Sequence, residues 1–507
     1  MKRFLLSLGV FGLLLVPTAE AGKKQPAPAP VVEAAPPPPP VDPEAWRATP
    51  PVAGPERPWS APVPDVVQLS NGVPVYFLRN DALPLVTVRL HMDLGRENNP
   101  AGKAGLGALV ANLLDEGTKN RDASGIASAA LGLGAELSVT AGAEGIDLSL
   151  NALTGEALGP SLDLLAEVAL SPAFRGADFK RVQAEVLADL AANRSNPRAV
   201  ASEVMLQQVF GPDHPYGYPV GGTTASVSAL KLGDVKKYYK DWWQAGSAAL
   251  VVVGAVDETA IVRELEARFG GWKRKAVTEP ALMAPATLLK TRVVFVESPG
   301  SVQSMLLVAT PGVARNAPDW HAANVAGTWV AGMFSSPMNM VLREEKGWSY
   351  GAYGGFTEAR DYGLFAVRSS VQADKTAPAV TEVLRVLGDA AAKPPSEEML
   401  NLSKDNLRKS LAGSFDTNAN TAASLAAIPT YTLNAAAWRD FDREVEVINA
   451  GRVASMAGRW FRPERQLVVV VGPRTVKGTD ASGAQIDVDV VKELQALGYE
   501  FVEVKPE

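Results

Sequence analysis

The chain has 507 residues, of which 47% are hydrophobic, and a formal net charge of −6 at pH 7. That length allows two or more domains with substantial cores, and the acidic balance argues against a nucleic-acid binder, which carries a basic excess. Cysteine is absent and histidine is limited to His91, His214 and His321, so disulfides, thiolate metal sites, cysteine nucleophiles and a cysteine-linked lipid anchor are all excluded.

In chain order, Lys2 and Arg3 precede the apolar run "FLLSLGVFGLLLV" (Phe4 to Val16) and "AEA" (Ala19 to Ala21). This is the layout of a signal peptide, shorter than a membrane span. Cleavage after Ala21 and export are expected, to the periplasm of a bacterium with two membranes, with no membrane span left after cleavage. Residues 22–64 are rich in proline and alanine, including "APPPPPV" (Ala35 to Val41). Such a segment cannot build a core and is expected to be an extended tether.

The remainder contains an internal repeat. "WWQAGSAALVVVG" (Trp242 to Gly254) matches "WFRPERQLVVVVG" (Trp460 to Gly472), and at the same offset "LVTVRLHM" (Leu85 to Met92) falls on "QSMLLVAT" (Gln303 to Thr310). Each half reads as two strands, a helix, a strand hairpin, long helices and a last buried strand. The hairpins are "ELSVTAGAEGIDLSL" (Glu136 to Leu150) and "SYGAYGGFTEARDYGLFAVRSSV" (Ser349 to Val371). The expected fold is α+β: two homologous sandwich domains of mostly antiparallel sheet, each with helices over one face. They occupy 65–273 and 291–474, joined by a linker at 274–290. The extension at 475–507 holds a short helix, "VDVVKELQALG", and a strand-like "YEFVEVK".

Within the first half, "AGLGALVANLLDEGTKNR" (Ala104 to Arg121) predicts an amphipathic helix and a turn. Leu106, Leu109, Val110, Leu113 and Leu114 form one apolar stripe. A second stripe at helical spacing carries Ala108, Ala111, Asn112 and Asp115. Two ordinary histidines lie outside this stretch, His91 in a strand and His321 at a helix start, and His214 is expected to cap a loop.

This stretch resembles, without a gap, the first-helix motif of the insulinase and pitrilysin-like zinc peptidases, which include the mitochondrial processing peptidase. Their motif is roughly G-L-A-H-x-x-E-H-x-x-x-x-G-T, the inverzincin signature. Over Gly105 and Gly117-Thr118, the two histidine positions become Ala108 and Asn112, and the glutamate position becomes Ala111. In the family a later glutamate on a second helix is the third ligand, and the matching position here is Asp189. Catalytic zinc needs three protein ligands and a base for its water. Alanine supplies no donor, and one carboxylate cannot hold the ion. The resemblance therefore implies no zinc in this chain.

Two other segments resemble the family. "FGPDHPYGYPVGGTTASVSALKLGDVKKYYKDWW" (Phe210 to Trp243) matches the end of its first half. Here the glycines read as a connecting turn rather than a phosphate loop, since no lysine follows at the required spacing. The aromatics of "VKKYYKDWW" read as core. "GMFSSPMNMVLREEKGWSYGAY" (Gly332 to Tyr353) matches the family segment whose arginine and tyrosine, seven residues apart, hold the substrate backbone and steady the oxyanion. Arg343 and Tyr350 take those positions, and donors aimed at a developing oxyanion can be worth several kcal/mol.

The resemblance implies a partner subunit of a heterodimeric zinc metalloendopeptidase, inactive alone and working as part of an active heterodimer. The H-x-x-E-H-bearing partner would bring zinc and base, and this chain would supply Arg343 and Tyr350 in trans. The substrate class would be unfolded peptide, added as a strand to a sheet edge such as Glu136 to Thr140. The alternative is a non-enzymatic peptide-binding or scaffold protein of the same fold, as core subunits of the cytochrome bc1 complex are.

Overall fold

Two valine-rich runs, Ala248–Gly254 and Leu467–Gly472, are buried at every position, and each lies inside a six-stranded sheet. A strand without polar alternation needs cover on both faces, and the fold supplies it twice. The structure, a computed structural model, describes residues 59–505 apart from 276–279, 281, 480 and 481, together with Glu44, Arg47, Gly54 and Pro55. The expected signal peptide at 1–21 and most of the tether lie outside the described residues. The chain divides into a unit of residues 1–58 and a unit of residues 59–507. In the first, Arg47 pairs with Glu44 at 3.1 Å; the second holds both sheets.

The first sheet uses β1 (Asp65–Gln68), β2 (Pro74–Arg79), β3 (Leu85–Met92), β4 (Glu136–Ala141), β5 (Ile146–Leu153) and β6 (Ala248–Gly254) in the order β1-β2-β6-β3-β5-β4. The second uses β7 (Arg292–Glu297), β8 (Gln303–Pro311), β9 (Ser349–Phe356), β10 (Leu364–Gln372), β11 (Leu467–Gly472) and, after a small hairpin β12 (Thr475–Thr479) and β13 (Gln485–Asp489), β14 (Glu500–Val504). Its order is β14-β7-β11-β8-β10-β9. Five strands of the two sheets, all but β1 and β14, match one for one in order and direction: β2 runs parallel to β6 as β7 does to β11, and the remaining pairs are antiparallel. This is the α+β fold read from the repeat. The outer edges differ. β1 makes a hairpin with β2, whereas β14, from the tail, adds parallel to β7. The hairpin β12–β13 is a feature the repeat gave no sign of, because most of its residues are exposed.

Helices of each half cover one face of its own sheet, as expected. The other faces are covered by exchange. Helix Pro197–Phe210 of the first half lays Ala201, Val204 and Met205 on Val294, Leu307 and Val469 of the second sheet. Helix Asn418–Thr430 of the second half lays Ala422, Leu425 and Ile428 on Val251 and Val253 of the first. Sequence periodicity predicts helices on one face; the valine runs, apolar on both sides, are the reason for the second layer.

Candidate functional site

The motif helix spans Leu106–Leu114 and buries its apolar stripe as predicted: Leu106, Leu109, Val110, Leu113 and Leu114 are all at most 1% exposed. Its entry depends on two glycines. Gly105 (φ +85°) and Gly222 (φ +79°) sit where two loops cross, and a Cβ on Gly105 would lie 2.5 Å from the Gly221 carbonyl oxygen. Here the "PVGGTTAS" glycines serve close approach of two backbones. The exit is also built. Buried Thr118 donates through Oγ1 to Glu167 at 2.5 Å, and its carbonyl accepts from Arg175 Nη2 at 2.7 Å.

The second stripe lies between these supports. Ala111 is fully buried, Ala108 is half-buried and Asn112 is exposed. Ala108 borders a cavity of about 10 Å³ shared with Arg96, Asn99 and, from the end of β4, Ala141; that is room for about one water. Asp189 is exposed on helix Gly176–Asn193, which packs against the motif helix. These four residues do not fit zinc: two have no donor atom, one is a neutral amide and one a lone exposed carboxylate. Among the described residues no group of three or more His, Asp or Glu side chains could hold a metal ion. β4, the strand expected to receive peptide, is the terminal strand of its sheet beside the motif helix.

The histidines have structural tasks. His214 Nδ1 accepts from the Tyr216 amide at 2.9 Å, capping the turn Pro215–Gly217, and its Nε2 lies 2.9 Å from the Met283 carbonyl oxygen. His91, on β3, is 2.8 Å from Asp147 and 3.0 Å from Thr430 Oγ1. His321 lies 2.7 Å from Glu444. In "VKKYYKDWW", Val235, Tyr238 and Trp243 are buried core residues.

One buried constellation escaped sequence reasoning. Arg360, in the loop between β9 and β10, reaches the first half and donates to Asp93, to Glu97 at 3.1 Å and to the Glu144 carbonyl oxygen at 3.1 Å. Tyr216 donates to the Glu144 carboxylate at 3.1 Å. Burial and the nearby Glu144 charge push Glu97 up to about 7, against the pull of Arg360; burial raises Glu144 as well. Next to this cluster, Asn99 Oδ1 accepts from the Gly107 amide at 2.8 Å, tying it to the motif helix. Only the polar run "RENN" hinted at it.

In the second half, the segment with Arg343 and Tyr350 folds as a short helical turn, a wider turn and a strand. Arg343 lies in the π-type turn Met340–Glu345, a geometry concentrated at functional sites. Its Nε is 3.2 Å from Glu344, and its guanidinium sits 4.6 Å from the Phe334 ring centroid. Tyr350 is 91% exposed, on the terminal strand β9. It borders a groove of about 420 Å³ on the second sheet, which Arg343 does not line.

Two family profiles match. The one described as Insulinase (Peptidase family M16) covers residues 75–224, and the one described as Peptidase M16 inactive domain covers residues 229–407. Together they take in well over half of the chain. The chain belongs to the insulinase, or M16, family. Among M16 relatives, it is 24% identical to an uncharacterized zinc protease of Mycobacterium bovis over 433 residues, 84% of this chain and 97% of that one. It is 27% identical to a non-peptidase homolog of Helicobacter pylori over 189 residues, 37% of this chain and 43% of that one. The crystal structure of a peptidase M16 inactive domain from Pseudomonas fluorescens superposes with a TM-score of 0.74 at 24% identity, over 81% of this chain and 98% of that one, which shows the fold. This M16 member lacks the side chains that would bind metal at the motif positions. No helix among its described residues is long and apolar enough to cross a membrane.

Proposed function

We propose that this chain is the exported, zinc-less partner subunit of a heterodimeric M16 metallopeptidase that cleaves unfolded peptides. The partner carries H-x-x-E-H, zinc and the general base, and this chain supplies Arg343 and Tyr350. The single observation that carries the reading is the exposure of Tyr350. A phenol 91% exposed on a terminal strand contributes little to packing, yet it stands seven residues after Arg343 in the segment that resembles the family's substrate-holding one. The basic start, apolar run and Ala19–Ala21 support export to the periplasm, with residues 22–64 as a tether.

The test is activity of the purified two-chain complex. Arg343→Ala and Tyr350→Phe are each expected to lower kcat/KM by about 10²–10³-fold with subunit ratio and zinc content unchanged. Unchanged cleavage in both variants would exclude the pair from the reaction. A second reading, a non-enzymatic peptide-binding protein, draws on one observation: Arg343 already has a carboxylate partner in Glu344, 3.2 Å away.

A further inference from the structure

The groove beside Tyr350 has a charge pattern opposite to that of the whole molecule. Its floor is the face of the second sheet that helix Pro197–Phe210 leaves uncovered, with Met305 on β8, Arg368 and Ser370 on β10, and Tyr353 on β9. Arg368 and Tyr353 face each other across the β9–β10 pair. Arg198, near the start of the covering helix, forms the wall. A second cavity of about 570 Å³ shares Arg198, Gln303, Met305 and Ser370 with the first, so the two form one continuous trough. Both arginines are exposed, and neither makes an ion pair or a side-chain hydrogen bond among the described residues. No Asp or Glu lines either cavity, in a chain of net charge −6.

The matching face of the first sheet shows what such an arginine does when its needs are met internally. There Arg89, on β3, holds Asp147 through two bonds of 2.8 Å. At the position that matches Arg89 the second sheet carries Leu307; its arginine on this face, Arg368, stands on the next strand across from Leu307 with no acid beside it. Guanidinium favours carboxylate through paired, charge-assisted hydrogen bonds. A trough of two cavities, each on the scale of a ligand site, is larger than a lone inorganic anion requires, and Tyr350 and Tyr353 add aromatic walls.

We propose that this trough binds an extended acidic peptide, with Arg198 and Arg368 each receiving an Asp or Glu side chain. This deepens the function proposed above by naming a substrate class, and it rests on that reading only for the peptide being cut; binding itself needs neither partner nor zinc.

The test is fluorescence anisotropy with the mature chain alone. One labelled peptide alternates glutamate with apolar residues; its sister has glutamine at every glutamate. The glutamate peptide is expected to bind at least about tenfold tighter, with the advantage shrinking at high salt. Arg198→Gln and Arg368→Gln should each weaken it by about tenfold without moving the glutamine peptide, and the double variant should bind both alike. Arg368→Glu should instead favour a lysine peptide, a gain that a misfolded variant cannot produce. Equal binding of the two peptides by the parent chain, or an unaffected double variant, would overturn the proposal. So would inorganic phosphate displacing the glutamate peptide with the same affinity as that peptide, since the trough would then be a simple anion site. If acidic peptides bind while no zinc subunit is found with the chain, this inference stands and the partner-subunit reading falls; the reverse result separates them the other way.

Discussion

The two sheets share five strands in order and direction, yet their inner faces are finished differently. On the first, Arg89, His91 and Asp147 satisfy one another, Thr87 donates to Asn151 at 2.6 Å, and Thr430 from the exchanged helix closes on His91. On the second, Arg198 and Arg368 face an open trough with Tyr350 and Tyr353. The same duplicated framework thus carries one closed polar strip and one open one. The half with the closed strip is also the half whose metal stripe is empty. The lesson is that one duplicated framework can finish the same face of its two sheets in different ways, by internal pairing in one half and by an open groove in the other.

That contrast can be broken at several points. The largest effect is expected from Asp147→Ala. Although burial works against it, the hydrogen bonds and charges of Arg89 and His91 hold the Asp147 carboxyl well below the usual range. Removing it strands the Arg89 guanidinium and the His91 ring without their shared partner in a buried site, and chemical denaturation should show a loss of about 3–5 kcal/mol. A loss under about 1 kcal/mol would mean the closed strip is no more committed than the open one.

Leu425→Ala tests the exchange of helices. Leu425 is fully buried between the second half's helix and the first sheet, and its truncation should cost about 2–5 kcal/mol in a single unfolding transition of both halves. Two separate transitions in the parent chain would show that the halves do not depend on each other.

The ion cluster between the halves predicts a pH effect. Glu97 is raised from 4.5 to about 7 in the folded chain, so the fold binds its proton more tightly than the unfolded chain does. Its contribution is full below about pH 4.5 and is lost as pH rises through about 7, by up to about 3 kcal/mol. Glu144, raised as well, acts in the same direction. Glu97→Gln should therefore gain stability relative to the parent between those limits, measured as the difference between their denaturation midpoints; a constant difference across the range would contradict the assignment.

The smallest effect sharpens the comparison from the other side. Arg368→Gln removes a side chain with no internal partner, and its stability should stay within about 0.5 kcal/mol of the parent. A large loss would reveal an internal role for this arginine, like that of Arg89.

Much of this was legible in the sequence because it was local or repeated. The stripe from Leu106 to Leu114 and the valine runs at Ala248 and Leu467 each declare a burial pattern within a few residues. The spacing of Gly105, Gly117 and Thr118 located the motif helix and its missing ligands. The rest was hidden by distance along the chain. Arg360 meets Asp93 and Glu97, more than 260 residues earlier, and no periodicity encodes such pairings. Helices 197–210 and 418–430 have weakly contrasting faces, so nothing in them announces which sheet they cover. Arg198 and Arg368 look like ordinary surface charges until the fold lays both along one trough. Tyr350 was found through the motif around it, but its exposure on a terminal strand required the structure.

The most direct measurement of the central claim is affinity purification of the tagged chain from its own cells, without crosslinker, with every co-eluting chain quantified by mass spectrometry and the eluate assayed for zinc. The account predicts a second M16 chain bearing H-x-x-E-H in equal amount, with one zinc per pair. Elution of this chain alone, or only with copies of itself and free of zinc, would contradict it.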